Sequence, residues 1–250
     1  IACAELEISG YTLDNPRLVR QIAKLRMEID RHLDRPYLES REVINRRADI
    51  LRNCIPLQQL GNLVEHGAGE KELQRLIHSD LSLLGEMYAQ PDEEYIAFAE
   101  FPLDDGRVDF ALFSGRSRMD ITLIEIKGAE FYLTNKDSYS NLNAKFNEGR
   151  QQIIRRLGYA YRNYPAFRAH AHEIRKQAER GNQIHHAFIG PQGKLLVDPD
   201  KDVNIHYVII GGRTRDDKIE SQLRHEFEIS FNPRIRLESW DTWIRKLRRA

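Results

Sequence analysis

The chain has 250 residues, 41% of them hydrophobic, with 38 basic and 38 acidic side chains. This length supports one substantial core with a smaller appended region. A formal charge of zero excludes a uniformly basic protein, so a DNA-binding surface would need locally concentrated positive charge. Lys145 to Arg180 has nine basic and three acidic residues, and Arg234 to Ala250 has six and two. A solvated helix face explains such runs equally well.

The sequence shows no sign of export or membrane insertion. Its two cysteines, Cys3 and Cys54, form no metal-binding or redox motif, which is typical of a reducing cytoplasm. Nothing resembles a secretion signal, and no apolar run approaches the roughly 20 residues that a bilayer-spanning helix needs. We therefore expect a cytoplasmic protein with no membrane partner.

Residues 1–66 are predicted to form a helical region. Asp14-Asn15-Pro16 is typical of a helix start, and a second helix is predicted over Arg41 to Cys54. Apolar residues recur every three or four positions along the first helix, at Leu18, Ile22, Leu25, Ile29 and Leu33. Gly61 to Gly69 is predicted to be a turn-rich junction. We place the domain boundary there, so that residues 67–250 form the second domain.

The second domain is predicted to alternate helices and strands. A helix from Glu70 to Leu84 precedes three strands, Tyr95 to Leu103, Arg107 to Phe113 and Asp120 to Lys127. The later elements are a helix from Ala144 to Tyr164 with further helix to Arg180, strands at His185 to Ile189 and Val203 to Ile210, a helix at Ser221 to Phe227, a strand at Arg234 to Glu238 and a helix from Asp241. This order predicts a mixed α/β core.

The strongest chemical signal is Asp109 on one predicted strand and Glu125-Ile126-Lys127 on the next. Because side chains alternate faces along a strand, Glu125 and Lys127 share a face, and a hairpin would bring Asp109 beside Glu125. Paired carboxylates favour a cation, and Mg²⁺ suits them because it takes oxygen ligands and keeps positions for water and phosphate. Lys127 would then stabilise the negative charge that develops at a phosphodiester.

The same residues have a simpler interpretation, in which Glu125 and Lys127 form a structural pair on an exposed sheet face and Asp109 is solvated. Other candidates are weaker. Histidines 170, 172, 185 and 186 match no zinc signature, and Gly211-Gly212 lacks the lysine of a phosphate loop. Tyrosines 159, 161 and 164 interleave with arginines 155, 156 and 162, which fits either a phosphate-tracking face or helix packing.

Five sequence segments together carry a family resemblance: Glu70 to Ile77, Arg107 to Phe110, Leu123 to Gly128, Gln152-Ile153, and Ile235 to Ile244. Their arrangement resembles the PD-(D/E)xK nuclease superfamily, whose core runs helix, three strands, helix, strand. More specifically, it is similar to the Shedu family of bacterial anti-phage defence nucleases. The resemblance covers roughly Glu70 to Ala250 and leaves the N-terminal helices outside.

The resemblance implies roles for individual residues. Asp109 and Glu125 become metal ligands and Lys127 the catalytic lysine, on a restriction-endonuclease-like core in which Val108 replaces the superfamily's nominal proline. For the helical acid Glu70 is favoured over Glu72, because Glu70 shares a helix face with Leu73, Gln74 and Ile77. A first-turn acid that complements the helix dipole is the alternative for Glu70. The family's glutamine corresponds to Gln152, or to the adjacent Gln151, and a plain surface glutamine is the alternative.

The function implied is that of a metal-dependent DNA endonuclease acting as a defence effector. Its expected cofactor is Mg²⁺, or Mn²⁺ in its place, held by Asp109, Glu125 and Glu70, with Lys127 and Gln152 completing the catalytic site. Its expected partners are DNA, further copies of the chain in a homo-oligomer, and a phage-derived trigger of unknown identity. The basic residues from Lys145 onward and at the C-terminus would hold the duplex. The alternatives are a non-catalytic nucleic-acid-binding or sensor module on the same fold, and an oligomerisation scaffold.

Overall fold

A computed structural model of the chain describes residues 40–103, 106–135 and 141–249, together with positions 21, 22 and 25. The chain divides into two compact units, Ile1–Ile44 and Asn45–Ala250. The helix predicted after Pro16 lies almost wholly outside the described residues. The predicted second helix is confirmed as α1, Arg41–Asn53. The predicted start of a nuclease domain at residue 67 stays a prediction.

Three short helices follow, α2 (Leu57–Glu65), α3 (Glu70–Ser79) and α4 (Ser82–Tyr88). Two predictions are wrong here. Gly61 lies inside α2, so only the residues after Glu65 form the junction. The helix predicted from Glu70 to Leu84 is broken, because the Asp80 carboxylate accepts hydrogen bonds from the backbone N–H of Ser82 at 3.1 Å and of Ile55 at 2.9 Å. Asp80 itself has φ of −146° and ψ of 82°, outside the helical region, so α3 ends there.

The described residues contain one mixed sheet of six strands in the order β4-β1-β2-β3-β5-β6. The strands are β1 (Tyr95–Leu103), β2 (Gly106–Ser114), β3 (Asp120–Ile126), β4 (Phe188–Ile189), β5 (Asn204–Ile210) and β6 (Ile235–Glu238). Strands β4, β1, β2 and β3 pair antiparallel, whereas β3, β5 and β6 pair parallel. Strand β4 is shorter than predicted because His185 and His186 have φ of 46° and 51°, outside the extended region.

Helices cover both faces of the sheet, which confirms the predicted mixed α/β class. The long helix α5 (Ala144–Arg162) and α6 (Tyr164–Glu179) cover one face. A core of Phe98, Phe113, Phe146, Ile153 and Ile209, among others, lies beneath them. Helices α2, α3 and α4 and the terminal α8 (Trp240–Ile244) cover the other face, over Leu60, Leu73, Phe110, Ile124 and Trp240. Helix α7 (Asp217–Ile229) is longer than predicted and precedes β6.

None of the helices in the described ranges is long and apolar enough to cross a membrane.

Candidate active site

The hairpin between β2 and β3 brings Asp109 to the side of Glu125. The ladder ends at the pair Phe110 and Ile124, and Asp109 and Glu125 lie one position further along the same register. There the Asp109 carboxylate accepts a hydrogen bond from the backbone N–H of Ile126 at 2.8 Å. The Asp109 carboxylate thus accepts the N–H that a backbone carbonyl would accept if the ladder continued. This bond fixes Asp109 at the carboxyl end of β3.

Glu125 is buried, Asp109 beside it is partly buried, and both carboxyl groups resist ionisation. Burial, and then the negative charge of Asp109, raise the pKa of Glu125 to about 7. Burial also raises the pKa of Asp109, against the lowering effect of the Ile126 N–H bond and of Lys127. Glu125 receives a hydrogen bond from Arg156 Nη1 at 2.7 Å. The hydrogen-bond donors around the pair therefore do not fully offset the cost of ionising both carboxyl groups.

Lys127 is held on a tightly packed frame. Its backbone N–H donates to the Ile210 carbonyl at 2.7 Å, and its carbonyl accepts the indole N–H of Trp240 at 2.8 Å. A Cβ added at Gly211 would lie 2.7 Å from Lys127 Cβ, and one added at Gly149 would lie 3.4 Å from Lys127 Cε. Strand β5, helix α8 and helix α5 therefore all approach this one residue closely.

The ammonium group of Lys127 lies among the acids of the site. Its Nζ is 3.3 Å from Glu70 Oε2 and 3.9 Å from Glu125 Oε1. The Lys127 side chain is 6% exposed, whereas that of Glu70 is 40% exposed. Lysine and Glu125 thus form the buried part of the site, and Glu70 forms its rim.

Helix α3 supplies Glu70 to the site and uses Glu72 for its own capping. The Glu72 carboxylate accepts the backbone N–H of Gly69 at 2.9 Å, as in a capping box. One turn after Glu70, the amide of Gln74 donates to Asp109 Oδ1 at 2.9 Å. The structure therefore brings Glu70, not Glu72, to Lys127, and adds Gln74 as a residue that orients Asp109.

The family model for the C-terminal part of the Shedu protein SduA matches residues 67–244. The chain belongs to this family. Membership places it with anti-phage defence proteins, and the match contains every residue of the candidate site. None of the curated proteins searched matches the chain.

The glutamine that the Shedu resemblance implies is not joined to the carboxylates. Both Gln151 and Gln152 are exposed, and within the described ranges no hydrogen bond involves either side chain. Arg156, one turn after Gln152 on α5, binds Glu125 instead. A role for Gln152 stays a prediction. The sequence pattern places Arg156 only among the arginines that interleave with tyrosines on α5. The sequence feature that points to a role at the site is its position one turn after Gln152.

The carboxylate oxygens of the site are the type of ligand that Mg²⁺ prefers. Across the described parts of the chain, no three His, Cys, Asp or Glu side chains converge into a ready metal cage. Asp109 and Glu125 nevertheless form a carboxylate pair, and Mg²⁺ binds through one or two carboxylates while keeping several waters. The residues therefore fit Mg²⁺ with water and phosphate as its other ligands. Glu70 as a third ligand stays a prediction.

Proposed function

We propose that this member of the Shedu family is a metal-dependent DNA endonuclease that cuts or nicks DNA as the effector of an anti-phage defence system. The observation that carries the proposal is that Asp109, Glu125 and Lys127 come together at the carboxyl end of β3. The raised pKa values of both carboxyl groups support it, because a buried, mutually repelling pair gains stability from a cation. Family membership supports the defence role.

The fold supports assignment to the PD-(D/E)xK superfamily. Helix α3, strands β1 to β3, helix α5 and strand β5 follow the order helix, three strands, helix, strand, although α4 comes between the first helix and β1, and α6 and β4 come before β5. The acidic pair lies where β2 and β3 stop pairing. Cytoplasmic location, homo-oligomerisation and a phage-derived trigger stay predictions of the sequence.

Asp109 and Glu125 would hold Mg²⁺, or Mn²⁺ in its place. When bound, such an ion neutralises phosphate charge and lowers the pKa of a coordinated water. Gln74 and the Ile126 N–H hold the two oxygens of Asp109 in fixed directions. The protein thereby presents a preoriented carboxylate, which spares the cost of ordering it during the reaction.

Lys127 would stabilise the negative charge that grows on the scissile phosphate and position the attacking water. Its Nζ lies 3.3 Å from Glu70 and 3.9 Å from Glu125, so the two acids hold the ammonium group at the site. The half-exposed Glu70 side chain can turn toward solvent without disrupting the core, and there it would contact bound water. Arg156 forms an ion pair with Glu125 at 2.7 Å, and its guanidinium group would be suited to bind a phosphate once a cation has taken over that carboxylate.

A non-catalytic nucleic-acid-binding module is the second candidate. One observation favours it: both carboxylates already have protein donors, Gln74 and the Ile126 N–H for Asp109, and Arg156 for Glu125. This alternative predicts salt-sensitive DNA binding that does not change with Mg²⁺, and no turnover.

The proposal is tested by replacing Lys127 with methionine, which keeps the length of the side chain and removes its charge. We expect Lys127→Met to slow Mg²⁺-dependent cleavage of a supercoiled plasmid by at least about 100-fold, the usual loss for a group that stabilises transition-state charge, while DNA binding is retained. The matched control is Lys194→Met, on an exposed loop, which should cleave like the wild type. Unchanged cleavage by Lys127→Met would overturn the assignment.

A further inference from the structure

A groove runs alongside the candidate active site, between helix α3 and the β1–β2 hairpin. It has a volume of about 490 Å³, and its lining residues include Lys71, Gln74, Arg75, Glu100, Arg107 and Asp109. We call it the α3 groove. Gln74 and Asp109 belong to the candidate site as well, so the groove opens directly onto the carboxylates. Its volume is that of a ligand pocket, which suits a segment of one strand rather than a whole duplex.

Two cations that pair with no acid of residues 40–103, 106–135 and 141–249 lie along the α3 side of this groove. Lys71 and Arg75 are exposed, are one helical turn apart, and make no ion pair with any described residue. Arg107 on the opposite side is also exposed but pairs with Glu100. Lys71 and Arg75 can therefore bind an incoming anion without first losing a partner.

The positions of Lys71 and Arg75 do not serve the stability of α3. Lys71 lies in the first turn of the helix, where the helix dipole disfavours a cation. Like charges at positions i and i+4, as at Lys71 and Arg75, also destabilise a helix slightly. These two effects are small, but both disfavour cations at these positions. Binding of an anion would offset them.

The basic segments expected to hold DNA are, by contrast, largely neutralised. Five of the six basic residues after Pro233 lie within ion-pair distance of an acid: Arg236 and Lys246 of Glu238, Arg245 of Asp217, Arg248 of Asp92, and Arg249 of Asp80 and Glu86. On α5, Lys145 pairs with Glu130 and Arg156 with Glu125. Much of the positive charge of these segments is offset by nearby acids, so less of it is free for a ligand.

We propose that the α3 groove binds the phosphodiester backbone of the DNA strand to be cut, with Lys71 and Arg75 contacting neighbouring phosphates and delivering the next one to Asp109. This inference rests on the proposed nuclease function and adds the route by which the strand reaches the site. One turn of helix, four residues, spans about 6 Å, a spacing that long basic side chains can match to adjacent phosphates.

The test compares two double variants that each remove two positive charges, made in the Lys127→Met background so that no DNA is cut. Lys71→Ala/Arg75→Ala changes the groove, and Lys194→Ala/Lys218→Ala changes exposed positions elsewhere. Binding of a fluorescein-labelled duplex and of its single strand is measured by anisotropy over a series of NaCl concentrations. We expect the groove variant to bind about tenfold more weakly, with a salt slope smaller by about two, because each lost phosphate contact removes nearly one unit. The control should match its parent.

The outcomes separate the two proposals. If the protein with intact Lys127 cleaves DNA but the groove variant keeps the affinity and slope of the control, the groove assignment is overturned and the nuclease assignment stands. If the parent binds no DNA and the wild type cuts none, both are overturned. Circular dichroism and thermal melting of both double variants check that the comparison is made on folded protein.

Discussion

Because Glu125 is buried beside Asp109, we expect the stability of the metal-free protein to fall as the pH rises toward neutrality. The pKa of Glu125 rises in the folded protein from its ordinary value of 4.5 to about 7. The folded state then holds this proton more tightly than the unfolded state, so stability is lost as the pH rises from about 4.5 to about 7. Each pKa unit corresponds to about 1.4 kcal/mol, which makes the cost of ionised Glu125 about 3 kcal/mol.

Replacing Glu125 with glutamine should remove this loss, because the amide stays neutral and its oxygen can still accept from Arg156. We expect urea unfolding in EDTA to show that the wild type loses about 2 kcal/mol more than Glu125→Gln between pH 5 and pH 8. The control Glu226→Gln, on an exposed part of α7, should follow the wild type. Added Mg²⁺ should reduce the loss in the wild type alone. Equal pH dependence in the wild type and Glu125→Gln would refute this reasoning.

Two further predictions concern the packing that positions Lys127. Trp240→Phe removes the indole N–H that binds the Lys127 carbonyl; it should lower the free energy of unfolding by about 1–3 kcal/mol and slow plasmid cleavage. Trp243→Phe also loses an indole N–H, but that group binds Tyr88. This variant should be destabilised and still cleave. Similar cleavage by both variants would contradict a role of Trp240 in positioning Lys127. Gly211→Ala should cost about 1–3 kcal/mol in urea unfolding because of its close approach to Lys127. A Cβ added at Gly158 in α5 would have no atom within 4 Å, so Gly158→Ala should stabilise the protein by about 0.5–1 kcal/mol. If Gly211→Ala were the more stable of the two variants, the close packing around Lys127 would be contradicted.

Much of the site could be predicted from the sequence because its central residues lie on neighbouring strands. Alternation along β3 placed Glu125 and Lys127 on one face, and a hairpin between consecutive strands placed Asp109 opposite Glu125. Helical spacing likewise favoured Glu70 over Glu72. All of these inferences need only local geometry, which short-range sequence patterns determine.

The remaining parts of the site depend on contacts between residues far apart in the chain. The Trp240 bond to Lys127 spans 113 residues, and the Arg156 bond to Glu125 spans 31. No periodic pattern encodes such pairs, since they follow from how α5 and α8 pack on the sheet. The break between α3 and α4, where the sequence predicts one continuous helix, has the same cause. Asp80 binds Ile55 and Arg249 as well as Ser82, so partners far away in the chain override the helical periodicity.

Charge runs in the sequence do not identify the cations that the fold leaves without an acidic partner among the described residues. The basic surplus after Pro233 is real, but the fold places acids from distant segments beside it, including Glu86 next to Arg249. Lys71 and Arg75 form no basic run in the sequence, because Glu70 and Glu72 flank Lys71. On the helix, however, these acids turn to Lys127 and to the Gly69 N–H, which leaves the two cations exposed together.

The most direct test of the central claim is cleavage of supercoiled DNA by the wild type and by Asp109→Asn, each in Mg²⁺ and in EDTA. Asp120→Asn, at the other end of β3, is the control. We predict nicked or linear product only from the wild type and the control, and only with Mg²⁺. Cleavage by Asp109→Asn at the wild-type rate, or wild-type cleavage that persists in EDTA, would contradict a metal-dependent nuclease built on Asp109, Glu125 and Lys127.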